Sequence, residues 1–162
     1  MIKLDDRDIK ILSVLDREGR ISKTELAKRV SLSATPCWER LQRLEKAGII
    51  SAYRAEISLK KIAAHVEVFV MAELENHRVE TMQGFERAVE RYDEIVNCWA
   101  LGGGYDYLLH IVCRDIDTYQ RMIDQLLGEG AGFARYFTYI VTKPVKSGHI
   151  PFEALLPMGA KG

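Results

Sequence analysis

Apolar positions recur at helical spacing three times before residue 50 and switch to a spacing of two after residue 65. Ile9, Leu12 and Leu15, widened by Ile11 and Val14, predict a first helix capped by Asp5 or Asp6, running to about Asp16 and closed by Glu18-Gly19-Arg20. A second helix starts at Ser22, with Glu25 three places on as in a capping box, and turns Leu26, Ala27 and Val30 inward. Ser31-Leu32 is then a tight turn, and Ser33 can cap a third helix. Pro36 falls in its first turn, where a missing N–H costs little, and Gly48 ends it. Cys37, Leu41 and Leu44 share one face of that helix and should be buried. The layout is a helix-turn-helix, whose second helix enters a major groove. Ile49-Ile50 and Tyr53 to Ile57 are expected as short strands, the wing of a winged helix-turn-helix.

From Val66 the pattern alternates. Val66, Val68, Val70, Ala72 and Leu74 lie on one face, and Glu67, Phe69, Met71, Glu73 and Glu75 on the other. Met82, Phe85, Val89 and Tyr92 then mark a helix, Ile95 to Leu101 a strand, and Tyr105 to Cys113 another. Asp115 or Asp117 caps a helix turning Tyr119, Met122, Ile123, Leu126 and Leu127 inward, and Phe133 to Val145 is a last strand. Strand–helix–strand–strand–helix–strand is the ferredoxin-like βαββαβ order. The expected class is therefore α+β, with a winged helix-turn-helix ahead of that unit. The boundaries read as 1–58 for DNA binding, 59–65 as connector, 66–146 for the ferredoxin-like oligomerisation unit, and 147–162 as a C-terminal tail, mobile at least at its end. Helices on one side leave the other sheet face bare, and a bare apolar face usually meets a second copy.

Charge sharpens this picture only locally. The chain has 162 residues and formal net charge zero, which is not the mark of a general nucleic-acid coat. Residues 20–46, however, carry 7 Lys/Arg against 3 Asp/Glu, an excess suited to specific binding by a dimer. Cys37, Cys98 and Cys113 lack metal or redox spacing, and His65, His77, His110 and His149 lack ligand spacing. The expectation is no metal and no cofactor. No apolar run approaches a membrane span, and the charged N-terminus does not read as a signal peptide; a reducing cytoplasm is expected for three unpaired thiols.

The outer face of the third helix holds Thr35, Glu39, Gln42 and Lys46, flanked by Trp38 and Arg43. Thr35, Trp38, Glu39, Gln42 and Arg43 are the better candidates for base or phosphate contact. Arg40 sits at the border and either lies along a phosphate or pairs with an acid. Lys23, Ser33 and Arg54 complete the DNA-binding set. At the turn, Ser31 stands where Gly is common; a left-handed backbone there would cost Ser on the order of 1 kcal/mol.

Three segments together, LDDRDIKILSVLDREGRIS, LSATPCWERLQRLEKAGII and GGGYDYLLHI, resemble the Lrp/AsnC family of amino-acid-responsive transcriptional regulators over about residues 4 to 145. The resemblance implies an N-terminal half that binds double-stranded DNA. It also implies a C-terminal RAM domain that builds homodimers, assembling further into octamers or similar rings. An amino-acid effector would sit at interfaces near the Gly-x-(Phe/Tyr)-Asp turn. Carried onto this chain, that site draws on Gly102, Gly103, Gly104, Tyr105 and Asp106, on Thr138, Tyr139 and Ile140, and on Ile116. Consecutive Gly residues let backbone N–H groups approach a carboxylate, and Asp106 with the Thr138 and Tyr139 hydroxyls could meet an ammonium group. The alternative is a small ferredoxin-like dimeric enzyme with an appended helix-turn-helix. His110 and Asp106, four residues apart on one strand, should be ~13 Å apart, too far for a dyad, and no catalytic constellation emerges.

Overall fold

The computed structural model describes residues 3–156. They form two compact units, one of residues up to 57 together with those from 146 onward, the other of residues 58–145. In the first unit, α1 (Asp6–Arg17), α2 (Lys23–Arg29) and α3 (Ala34–Lys46) follow one another closely. The Asp5 carboxylate accepts from the N–H groups of Arg7 and Asp8, and the Asp8 carboxylate accepts from Asp5 N–H, a complete capping box. Ser22 caps α2 through the N–H of Glu25 at 3.2 Å. The reciprocal half of the expected box is missing because Glu25 Oε1 takes Arg29 instead. Ile11, Leu26, Val30, Cys37, Leu41 and Leu44 form the shared core. Each fully buried aliphatic side chain of this kind contributes roughly 1.5–3 kcal/mol.

Both α2 and α3 end in a Schellman motif. After α2, Ser31 N–H donates to the Lys28 carbonyl and Leu32 N–H to the Ala27 carbonyl, with Ser31 at φ 56°. After α3, Gly48 N–H donates to Glu45 and Ile49 N–H to Leu44, with Gly48 at φ 70°. Ser31 is thus a left-handed residue without glycine's freedom, as its place in the turn predicted.

Two expectations about this unit change. No strand forms over residues 49–58, so the single chain makes no wing hairpin. A strand needs a neighbour for its N–H and C=O groups, and within the chain this segment has none; Tyr53 and Ile57 remain 50% and 59% exposed. The tail is not a free extension through residue 156. A short helix, α6 (Phe152–Leu155), follows Pro151, and Phe152 packs against the helical core. Ile150 N–H and His149 both reach the Asp16 carboxylate. Pro/Gly spacing points to mobility, but Phe152 and the contacts to Asp16 hold the segment on the helices. Residues 157–162, where the tail's end was expected to be mobile, lie outside the described residues.

The second unit opens with a 3₁₀ turn (Leu59–Lys61), then β1 (Val66–Leu74), α4 (Val79–Val89), β2 (Ile95–Ala100), β3 (Tyr107–Cys113), α5 (Ile116–Gly128) and β4 (Phe133–Ile140). The strands form one antiparallel sheet in the order β2-β3-β1-β4, so the expected ferredoxin-like unit is present. Val68, Val70, Ala72, Tyr107, Leu109 and Ile111 face α4 and α5 and are almost wholly buried with Phe85, Met122, Ile123 and Leu126. Register puts Phe69, Met71, Leu108, His110, Trp99, Phe137 and Tyr139 on the other face. On it, His110 stacks on Phe69 at 4.6 Å and meets Glu67 Oε1 through Nε2 at 2.6 Å. The last strand ends five residues short of the predicted Val145; beyond it only Val141 N–H still pairs, with the Glu67 carbonyl.

Candidate functional site

On α3 the two faces separate as the periodicity requires. Cys37, Leu41 and Leu44 are buried, while Thr35, Glu39, Gln42 and Lys46 are exposed. Trp38 is half-buried beneath the Lys23 ammonium, which lies 3.2 Å from the ring centroid, so Lys23 and Trp38 make one cation–π unit at the edge of the face. Ser33 occupies the N-cap position with its hydroxyl making no cap bond. Arg54 is exposed in the extended segment after α3. That segment is fastened to the helix by Tyr53, whose hydroxyl donates to Glu45 Oε1 at 2.7 Å. Burial and the adjacent Glu45 push the Tyr53 phenol up to about 12.

Arg40 and Arg43 both reach Asp8 but differ in their other partners and exposure. Arg40 Nη1 bridges the carboxylates of Asp5 and Asp8, the acid pairing named as one of the two choices at this position. Arg43 reaches Asp8 through Nη2 while remaining 45% exposed. Asp8 itself was not among the sequence candidates. A signal was available: Asp8 precedes Leu12 and Leu15 by one and two helical turns, so it stands on the inward stripe of α1. An acid at such a position is almost never buried unpaired.

The nine candidate effector residues fall into two groups. Gly102 to Asp106 lie at the end of the sheet where Asp106 N–H donates to the Ala72 carbonyl and Leu101 N–H to the Asp106 carbonyl. Tyr105 packs edge-on against Phe137, at 5.7 Å between centroids, with the Arg135 guanidinium near its face. Both carboxylate oxygens of Asp106 are engaged, Oδ2 by Leu74 N–H at 2.8 Å and Oδ1 by His77 Nε2 at 2.8 Å. Gly102, Gly103 and Gly104 have ordinary φ angles, and a Cβ on any of them would meet nothing within 4 Å. Nothing within the chain therefore demands glycine there.

The second group lies from the middle of the sheet toward its other end. Thr138 faces the helices, opposite Val70, and bonds the Tyr119 hydroxyl. Ile140 pairs with Val68 and is 53% exposed. Ile116, 43% exposed, begins α5 just after the end of β3. Tyr139 lies on the bare face, opposite Phe69, so its hydroxyl does not share a side with that of Thr138. From Ala72 to Val68 along β1 is about 13 Å at ~3.3 Å per residue. Val70, the partner of Thr138, is only about 7 Å from Ala72, so within one chain Ile140 and Ile116 stand apart from the loop while Thr138 stands closer to it. Alternation along a strand reports which face a residue takes, but not which stretch of the neighbouring strand lies beside it.

Burial raises the thiols of Cys37, Cys98 and Cys113, Cys98 to about 11. Among the described residues no group of three or more His, Cys, Asp or Glu side chains is placed to hold a metal ion, and no helix is long and apolar enough to cross a membrane.

Comparison with known proteins adds to this geometry. Residues 67–150 match the family described as the Lrp/AsnC ligand binding domain, and residues 4–51 match a winged helix-turn-helix DNA-binding family. Transcriptional regulatory protein DoeX of Halomonas elongata is 48% identical over 145 residues, covering 90% of this chain and 92% of that one. The leucine-responsive regulatory protein of Escherichia coli is 38% identical over 143 residues, covering 88% and 87%. Among solved structures, the complex of transcriptional regulator NMB0573 of Neisseria meningitidis with L-Met superposes with a TM-score of 0.86 at 32% identity. That match covers 95% of this chain and 100% of the other.

Proposed function

The chain belongs to the Lrp/AsnC family of transcriptional regulators, and from that premise we propose how its residues divide the work. It is a DNA-binding regulator rather than an enzyme. In our reading the exposed face of α3 enters the major groove. Thr35, Glu39, Gln42 and Arg43 meet base edges, Lys23 serves the backbone, and Trp38 is held flat by Lys23 against the duplex. Ser33 and Arg54 add phosphate contacts at the two margins, and Arg40 acts through the acids it bridges. The polarity of α3 is the observation that carries this assignment: a buried Cys37-Leu41-Leu44 stripe opposite exposed polar side chains.

The regulator works as a homodimer that assembles further, an octamer being the expected size. Trp99, Phe137 and Tyr139 remain 45%, 41% and 51% exposed on the bare sheet face, an apolar surface suited to a second copy. The effector is an amino acid, as the leucine-responsive and L-Met-bound relatives suggest by their names. Its site is completed between copies. The loop at Gly102 to Gly104 offers open backbone N–H groups to the carboxylate, and Thr138, Tyr139, Ile140 and Ile116 of another copy supply the remaining walls. Asp106, already bound on both oxygens, shapes the loop rather than grips the ammonium. The protein operates in the cytoplasm.

Footprinting on the promoter next to its own gene tests the DNA reading; the expected result is protection of a pseudo-palindrome with half-sites about a helical turn or a multiple apart. Absence of protection at low salt would sink it. A thermal-shift screen of the twenty amino acids tests the effector reading. A true ligand at 100 times its dissociation constant stabilises by about 2.7 kcal/mol, and no shift with any of them rejects an amino-acid effector.

A further inference from the structure

Asp8 is the one buried charged residue among the described residues, at 0% exposure. A carboxylate removed from water requires charged partners, and Asp8 has three donors. Oδ1 accepts from Arg40 Nη1 at 2.9 Å; Oδ2 accepts from Asp5 N–H at 3.0 Å and from Arg43 Nη2. The two arginines are bound unequally. Arg40, with its side chain 28% exposed, is shared between Asp8 and Asp5. Its guanidinium is held above the ordinary value, first by the hydrogen bond to Asp5. Arg43 is 45% exposed, and its Nε and Nη1 make no hydrogen bond among the described residues.

Withdrawing each in turn shows the asymmetry. Without Arg40, Asp5 loses its cation, and Asp8 keeps Arg43 and the Asp5 amide. Without Arg43, Asp8 keeps both Arg40 and the Asp5 amide. Arg43 is therefore the side chain able to accept a second partner. We propose that Asp8 is a positioning residue for DNA recognition: it grips one end of Arg43 and leaves the rest of that guanidinium for DNA, with Arg40 as its permanent counter-ion. The proposal rests on the reading in which the outer face of α3 meets DNA. Anchoring a long side chain before contact removes part of its ordering penalty on binding. It also fixes the plane of the guanidinium fork, which a freely rotating arginine would not present in one orientation.

The test uses the full chain, a duplex recovered from a random pool by the wild-type protein, and a scrambled duplex of equal length. Asp8→Asn is expected to lower the ratio of the two affinities about tenfold, within the range for one lost directional contact. Affinity for the scrambled duplex should not fall, since one negative charge is removed near DNA. A merely structural Asp8 would lower the melting temperature and reduce both affinities by the same factor, and that result overturns the proposal. Should Asp8→Asn not fold, Arg43→Lys is the second variant. It lies on the exposed face, keeps the charge and loses the fork, and the same fall in ratio is expected; an unchanged ratio overturns the proposal. Arg43→Ala and Gln42→Ala separate the two levels. If neither changes either affinity, the assignment of the DNA-facing surface fails and the proposal with it. If they do, while Asp8→Asn or Arg43→Lys leaves the ratio intact, only the role of Asp8 fails.

Discussion

Replacing Ser31 by Gly is expected to stabilise the protein, and replacing Gly48 by Ser to destabilise it. The two residues close the same Schellman motif on successive helices, at φ 56° and 70°. Their hydrogen bonds are closely matched: 3.1 and 2.9 Å after α2, 2.9 and 3.0 Å after α3. An L side chain in the left-handed region costs about 1–2 kcal/mol. Glycine gives back about 0.4–1 kcal/mol of that through its freedom in the unfolded chain. The net expectation for Ser31→Gly is a gain of roughly 0.5–1 kcal/mol. Gly48→Ser should lose a similar amount and no more, because a Cβ at Gly48 meets nothing within 4 Å. For a chain of this size 1 kcal/mol moves the melting temperature by about 2–4 °C, within reach of circular dichroism. Ser31→Ala serves as control. It keeps the left-handed strain and should gain nothing. If Ser31→Gly melts at or below Ser31→Ala, the strain argument is wrong.

Three further outcomes follow from other sites. Gly132→Ala should destabilise by at least about 1–2 kcal/mol, because Gly132 has φ 76° and a Cβ would stand 2.8 Å from Thr81 Cγ2. Thr81→Ser removes that methyl while keeping the hydroxyl bond to Asn76, so a double-mutant cycle in urea should recover only the steric share. Phe152→Ala should cost about 1–2 kcal/mol, less than a fully buried aromatic, and should speed limited proteolysis after residue 145; unchanged cleavage would show that the aromatic does not anchor the tail. For Asp5, burial raises the carboxyl, but the Asp8 N–H and the Arg40 guanidinium outweigh it, leaving it below the ordinary 3.8. A depressed carboxyl stabilises above the unfolded value and loses that contribution as pH falls through the folded one. Asp5→Asn keeps a good cap, so its deficit in melting temperature should be present at pH 7 and should shrink below about pH 4.

The faces of α3 were legible because a helix repeats every 3.6 residues and a single period sorts Cys37, Leu41 and Leu44 from Thr35, Glu39 and Gln42. The βαββαβ order was legible for the same reason, with period two. The wing was not, since Tyr53 and Ile57 have strand character but no neighbour in their own chain. Asp8 escaped because a periodic reading of α1 counts apolar positions and passes over an acid standing among them. For the effector residues the sequence does not carry register: Thr138 beside Val70 and Asp106 N–H on Ala72 are facts of pairing that no local pattern carries.

Residues of the effector set that are spread along one sheet have a consequence for sensing. If the pocket exists only where two copies meet, the signal cannot be registered by an isolated chain. Apparent affinity for the amino acid then rises with protein concentration, and by reciprocity the amino acid tightens assembly by the same factor. Such a regulator reports a coincidence, a nutrient present while its own abundance is high. Its response threshold can be moved by expression level without changing a residue in the pocket.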